Sequence, residues 1–424
     1  LTSKFFQKLA LKAAILFVAF LHFSCSDFFE PVKSTPTPTE YEYNYWLLQR
    51  QYLFEDELEA LDPEGDSVQA LYSLLSDPYT RYIPPSKSEA ATTSMNTSIV
   101  AGDVGMEYYL GDTEYPLFVY RVYPSSPAGR AGIPRYGNII EVNGIQLTGE
   151  RAYDIYDSVL SQNKEISLTI IYKRDSLHFD LTKEDVYAPT VLLDTLNETE
   201  FIIIRGFKQT TADKEYGSYG ELKSLLESLP NDNVPRVLDL RDNPGGHVNQ
   251  CVAMADLFVK SGKLSTRSWR DIEPDGKSIK KTKTIVASAG DAGEGKPFII
   301  LLNKSSASCS EIFAAAVAEG ADIPVVGTAS YGKGIGQTTW STIDKGLAII
   351  TNLEFLTPKG NSYHKKGIQP DYACESGATV QCALEAIQKI YGKKSLEKIG
   401  THITEDIQPI SRQKNILGGA YLDL

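Results

Sequence analysis

Val237-Leu238-Asp239-Leu240-Arg241-Asp242-Asn243-Pro244-Gly245-Gly246 runs from a short apolar strand straight into a proline–glycine turn. Three more stretches read as short buried strands: Ile202-Ile203-Ile204, Ile299-Ile300-Leu301-Leu302 and Pro324-Val325-Val326. Helical segments alternate with them, at Tyr219 to Leu229, Gln250 to Val259 and Glu311 to Ala318. Continuous apolar strands separated by helices predict an α/β domain with a largely parallel sheet, covered on both faces. In such sheets functional groups gather at the C-terminal ends of the strands. Asn243 to Gly246, Ser306 to Ser310 and Tyr331 to Gln337 each follow a strand, so they are expected to meet on one edge.

Those three segments carry chemistry. Ser308-Cys309-Ser310-Glu311 opens a helix and reads as a capping box, in which a serine and a glutamate three residues on satisfy the free N–H groups of the first turn. If Ser308 instead exposes its oxygen at the helix entrance, the adjacent N–H groups and the helix dipole can stabilise an oxyanion. Ser306 and Ser310 are the alternate hydroxyls, and Cys309 offers a thiol, although no histidine is placed by sequence to activate it. Lys333, between Gly332 and Gly334, can approach other groups closely because neither neighbour has a side chain. To act as a base it must be neutral, which burial favours. Gly245 and Gly246 offer turn N–H groups, the sequence leaving open which is used, and His247 beside them keeps a serine–histidine arrangement in view.

Gly327-Thr328-Ala329-Ser330-Tyr331-Gly332-Lys333 matches the start of a phosphate-binding loop. Position 334 is glycine rather than the Mg²⁺-binding Ser or Thr, and Ile335 to Thr342 reads as a strand, which argues against nucleotide binding.

Upstream, helices are expected at Glu40 to Leu61 and Ser67 to Leu75, followed by Asp77-Pro78-Tyr79-Thr80-Arg81-Tyr82, read on chemistry alone as a helix stop with two packed tyrosines. A small β-rich domain follows, from about Ile99 to Thr182. Its predicted elements are strands at Val104 to Glu107 and Phe118 to Val122, a short helix at Ser126 to Ile133, a strand ending in the Asn143-Gly144 turn, a helix at Ala152 to Leu160 and a strand at Ile166 to Tyr172.

Ser-x-Ser308-x-Ser-Glu, the Gly-Lys333-Gly loop with Gln337 and the Asn-Pro-Gly-Gly turn together resemble the C-terminal processing peptidases, or tail-specific proteases. The Asp-Pro-Tyr-x-Arg-Tyr string is similar to their N-terminal helical region. SPAGRAGI (126–133) followed by GNIIEVNG (137–144) looks like a PDZ domain. The resemblance implies a crotonase/Clp-protease-like α/β core with an N-terminal helical region and a PDZ domain, acting as a serine endopeptidase near protein C-termini. It assigns Ser308 as nucleophile, Lys333 as base, Gln337 as the residue that orients the amine, and N–H groups of Gly245 or Gly246 and Cys309 as the oxyanion hole. The PDZ-like domain would take an apolar substrate C-terminus by strand addition, its carboxylate held by N–H groups of Gly102, Val104, Gly105 and Met106. The alternative is a catalytically silent scaffold that binds C-terminal peptides; the intact Ser308, Lys333 and Gln337 argue against it. No metal or other cofactor is implied.

The 424 residues carry a net charge of −12 with no basic run, which argues against a nucleic-acid partner. Lys4, Lys8 and Lys12 precede the apolar run Ala13 to Phe23, the pattern of a secretory signal. Ser24-Cys25 closes it as lipoprotein signals close, so lipidation at Cys25 is expected. The protein would then be a membrane-anchored envelope lipoprotein facing the periplasm or the cell exterior. In such an oxidising compartment Cys374 and Cys382 can pair. The expected organisation is a signal at 1–25, a tether at 26–39, a helical region at 40–95, the PDZ-like domain at 96–185, the peptidase core at 186–392 and an extension at 393–424. The oligomeric state is not legible.

Overall fold

A computed structural model describes residues 38–110, 117–149, 151–273, 275–375 and 377–392. Cys25 and its signal, most of the tether, and the 393–424 extension lie outside the described residues. Among the described residues no helix is long and apolar enough to cross a membrane.

A mixed α/β fold is built around a six-stranded sheet. Its strands run in the order Val191–Leu196, Thr199–Ile204, Arg236–Asp239, Phe298–Leu302, Val325–Gly327 and Tyr372–Ala373. The first pair is antiparallel and every later pairing is parallel. Side chains alternate faces along a strand, so one apolar run supplies two cores. Ile202, Leu238, Ile300 and Leu302 face the helices Val248–Asp256 and Cys309–Ala321, with Phe313 at the centre of that layer. Phe201, Val237, Ile299 and Leu301 face the opposite way, against Ala383, Ala386 and Ile387 of the helix Val380–Tyr391. Coverage on both faces explains why these strands read as continuous rather than alternating apolar runs.

A second sheet stands beside the first. Leu347–Leu356 pairs with Arg81–Ile83, Lys263–Ile272 and Ile335–Ser341, and Lys263–Ile272 pairs in turn with Ser278–Val286. The N-terminal helices Glu40–Gln51 and Val68–Ser73 bury Leu47, Leu48, Leu71 and Tyr72 against Ala348 and Ile350 of its long strand. The expected helix from Glu40 to Leu61 is broken at Tyr52, and its remainder is a 3-10 turn, Glu55–Ala60.

The β-rich domain has its own core. Strands Met106–Leu110, Leu117–Val122, Asn138–Val142, Glu165–Tyr172 and Asp175–Thr182 form a sheet, and the helix Ala152–Gln162 packs Tyr156, Val159 and Leu160 into it. Val104-Gly105, expected to lie in a strand, links Ile99–Asp103 to Met106–Leu110 instead. The strands that enter and leave the domain, Ile99–Asp103 and Glu184–Tyr187, pair with each other and close it off. Buried charges join the domain to the central sheet. Glu107 accepts from Arg205 Nη2 at 2.8 Å, and Arg121 pairs with Asp194 at 2.9 Å. Such a pair adds little over an apolar contact, but removing one member costs about 3–5 kcal/mol, because the other charge is left buried and alone.

Candidate active site

Three adjacent parallel strands, Arg236–Asp239, Phe298–Leu302 and Val325–Gly327, release their loops on one edge, and these loops are the three read from the sequence. Asn243 joins the first two. Its side chain donates to Ile204 O at 2.8 Å and accepts the Gly245 N–H at 2.9 Å, while its backbone carbonyl accepts from Ala307 N at 3.0 Å and from Ser310 Oγ at 2.8 Å.

Ser308 stands immediately before the helix Cys309–Ala321, half-buried, with φ 56° and ψ −113°. A non-glycine residue at positive φ costs about 1–3 kcal/mol and persists only where its surroundings hold it there. Gly245 is part of that surrounding. With φ +108°, it lies so close that an added Cβ would be 2.9 Å from Ser308 Cβ, from Cys309 N and from Ala307 O. The two alternate serines are placed differently. Ser306 and Ser310 are fully buried and donate their hydroxyls to the carbonyls of Leu240 and Asn243, both at 2.8 Å.

The Gly245 N–H is engaged by Asn243, whereas no acceptor is found among the described residues for the N–H of Gly246 or of Cys309. The carbonyl of Gly245 accepts from Phe207 N at 3.2 Å. A trans peptide points its N–H opposite its C=O, so the Gly246 N–H is directed away from Phe207. His247 is turned elsewhere, its ring nitrogens on Met95 O at 3.2 Å and on Gln209 Nε2 at 3.1 Å.

Lys333 Nζ donates to Gln337 Oε1 at 3.0 Å and sits 4.1 Å from the centre of the Tyr79 ring. Burial, reinforced by the positive charge of Arg81, pulls its pKa down to about 8. Gln337 is oriented in turn, donating through Nε2 to Thr351 Oγ1 at 2.9 Å on the paired strand. Thr351 N donates to Thr80 Oγ1 at 2.9 Å, and Thr80 donates to Asp77 Oδ2 at 2.6 Å. Asp77 to Arg81 is therefore also part of the surroundings of Lys333, a role beyond the helix stop and packed tyrosines read from the sequence. No hydrogen bond joins Ser308 Oγ to Lys333 Nζ among the described residues.

Glu311, read from the sequence only as a capping residue, does more. Its fully buried carboxylate accepts the N–H of Ser308 at 2.8 Å, of Lys333 at 2.8 Å and of Gly332 at 2.6 Å, and the Ser330 hydroxyl at 2.6 Å. Burial raises its pKa, and these four donors oppose the shift. Gly332 and Gly334 permit the approach of the loop to residues 364–367, since a Cβ on either would meet backbone there at 3.0 Å or less. Ile335–Ser341 is a strand, as expected, so no helix N-terminus follows Lys333 to bind phosphate.

In the β-rich domain the expected carboxylate loop needs correction. The Gly102 N–H donates to Asp185 at 3.0 Å and the Gly105 N–H to Asp103 at 2.6 Å, so both are engaged by the protein's own carboxylates. Met106 opens the strand opposite Val122, and Val104 is buried in the link before it. Cys374 and Cys382 are joined in a disulfide, with Cα atoms 6.0 Å apart.

Residues 201–374 match the family model described as peptidase family S41. The chain is 28% identical over 336 residues to a probable CtpA-like serine protease of Staphylococcus aureus, covering 78% of this chain and 64% of that protein. A protein of the same description from Staphylococcus saprophyticus is 29% identical over 342 residues, covering 80% of this chain and 65% of the relative. The chain thus spans less than two thirds of the length of either relative. A solved photosystem II D1 C-terminal processing protease aligns over 80% of this chain and 94% of its own, at 21% identity and a TM-score of 0.48, too distant to bear on the site.

Proposed function

We propose that this protein is a serine endopeptidase of the S41 type, with Ser308 as nucleophile and Lys333 as general base. The observation that carries the reading is the Glu311 carboxylate, which holds the main chain of Ser308 and of the Lys333 loop through one buried group. Ser308 Oγ attacks the scissile carbonyl and passes its proton to neutral Lys333 Nζ, which returns it to the leaving amine. The N–H groups of Cys309 and Gly246 receive the oxyanion, Gly246 being favoured over Gly245 because the Gly245 N–H is already engaged. Gln337 orients the amine. Contacts of this kind are often loose before substrate binds, and turning the lysine from Gln337 toward Ser308 is the adjustment required. The match of residues 201–374 to the S41 family and the two staphylococcal relatives support a serine peptidase function.

The core is read as crotonase-like and the β-rich domain as PDZ-like. Met106–Leu110 is an edge strand of its sheet and lies beside the helix Ala152–Gln162, Tyr108 contacting Tyr156 edge-on at 5.1 Å. That pairing of an edge and a helix suits an added peptide strand. An apolar C-terminal segment is the proposed substrate, and an envelope location with a lipid anchor at Cys25 is proposed with it.

Casein cleavage together with fluorophosphonate labelling tests the assignment. Label on Ser308, lost with activity in Ser308→Ala, is expected. Undiminished cleavage by Ser308→Ala would overturn it.

A further inference from the structure

Among the described residues, the thiols of two free cysteines have no part in the chemistry above. Cys251 lies in the helix Val248–Asp256 that follows the Gly245–Gly246 turn, and Cys309 is the first residue of the helix after Ser308. Both are fully buried, and their sulfur atoms are 2.7 Å apart. Cys309 Sγ also lies 3.2 Å from the Gly246 carbonyl oxygen. A disulfide requires a sulfur separation of about 2.05 Å, so the two sulfur atoms already lie within about an ångström of bonding distance.

We propose that Cys251 and Cys309 form a second disulfide as the chain folds, bracing the turn that carries Gly246 against the helix that begins at Cys309. The chain already carries one bond of this kind, Cys374–Cys382, as chains that fold in an oxidising compartment do. The oxidant is an external disulfide, either of an oxidoreductase or of a small molecule. One cysteine thiolate attacks it and expels a thiolate. The second cysteine then displaces the other half from the mixed disulfide. One protein disulfide forms, two external thiols are released, and the two electrons pass to the external disulfide.

Burial sets the timing. It holds the Cys251 thiol in its neutral, unreactive form, so exchange takes place before the two helices dock. Once they have docked, the bond is shielded from reductant. The bond itself is independent of the peptidase reading; only its effect on turnover rests on that reading.

The test refolds the full chain from denaturant with oxidised and reduced glutathione. Remaining thiols are then blocked with N-ethylmaleimide in denaturant, and the unreduced protein is digested for mass spectrometry. A cross-linked pair of peptides holding Cys251 and Cys309 is expected, surviving dithiothreitol in buffer and lost when dithiothreitol acts in denaturant. Cys251→Ser should carry N-ethylmaleimide on Cys309 and unfold several degrees lower. Alkylation of both Cys251 and Cys309 in wild type, with Cys374–Cys382 closed, would overturn the proposal, as would either residue bonded to another cysteine. Casein turnover of oxidised and reduced wild type separates the two claims. Higher turnover of the oxidised form supports the bracing role, and equal turnover contradicts it. The cross-link in a protein with no activity in either form would instead count against the peptidase reading.

Discussion

The Glu311 carboxylate accepts the backbone N–H of Lys333 at 2.8 Å, and the same oxygen accepts the N–H of Ser308. The spacing of Ser308 and Lys333, the proposed nucleophile and base, is therefore set through the main chain by a third, buried residue. Side-chain contact between the two is not needed to keep them in register.

Glu311→Gln tests this clamp. An amide presents one acceptor oxygen where the carboxylate presents two, so its NH₂ group would face backbone donors. Leaving buried donors unsatisfied costs about 1–3 kcal/mol in stability, and a small shift of the loop should lower kcat by about a hundredfold. Thermal unfolding and casein turnover report the two effects. Unchanged turnover would remove Glu311 from the site.

The three serines separate by function. Ser306→Ala and Ser310→Ala each lose a buried hydroxyl bonded to a carbonyl, costing about 1 kcal/mol, and should keep measurable activity. Ser308→Ala should abolish activity with little change in unfolding temperature. Denaturant titration beside turnover measures all three.

Why the sequence revealed some parts and hid others follows from where each contact is made. The three loops were legible because each follows its own apolar strand, and adjacent parallel strands place their C-terminal ends together. The role of Tyr79 was hidden because its partners are distant in the chain: its hydroxyl meets that of Tyr331, 252 residues away. Lys263–Ile272 and Ser278–Val286 were missed as strands because the second is largely exposed and carries Lys280, Lys281 and Lys283, so pairing rather than apolar pattern defines it. Asp175–Thr182 was legible but went unread: Leu177, Phe179 and Leu181 alternate with polar residues, the pattern of a half-buried strand. The box at Ser308 and Glu311 was visible, but one sequence window cannot show a carboxylate reaching a second loop.

Activity should depend on pH through Lys333. Only its neutral form accepts the serine proton, and with a pKa near 8 turnover should rise with pH through that region and level off above it. Arg81 disfavours the protonated amine, so Arg81→Gln should raise the lysine pKa and move the limb to higher pH, by about one unit or less. The pH profiles of kcat/KM for both proteins give the comparison. A shift to lower pH would contradict the electrostatic account.

Gly245→Ala places a methyl group 2.9 Å from Ser308 Cβ at a backbone φ of +108°. Strain and overpacking together should cost about 2–4 kcal/mol and displace Ser308. Gly144→Ala is the control, since its φ is also positive, +78°, but an added Cβ meets nothing within 4 Å. It should lose only about 1 kcal/mol and keep full turnover.

The central claim is that Ser308 and Lys333 act as one unit, and the most direct measurement is casein turnover by Ser308→Ala, Lys333→Ala and the double variant. Residues that act together are not additive in their loss. Each single variant should fall to the same residual rate, and the double variant should fall no further. Full activity in Lys333→Ala, with loss in His247→Ala, would contradict the account and assign the base to histidine.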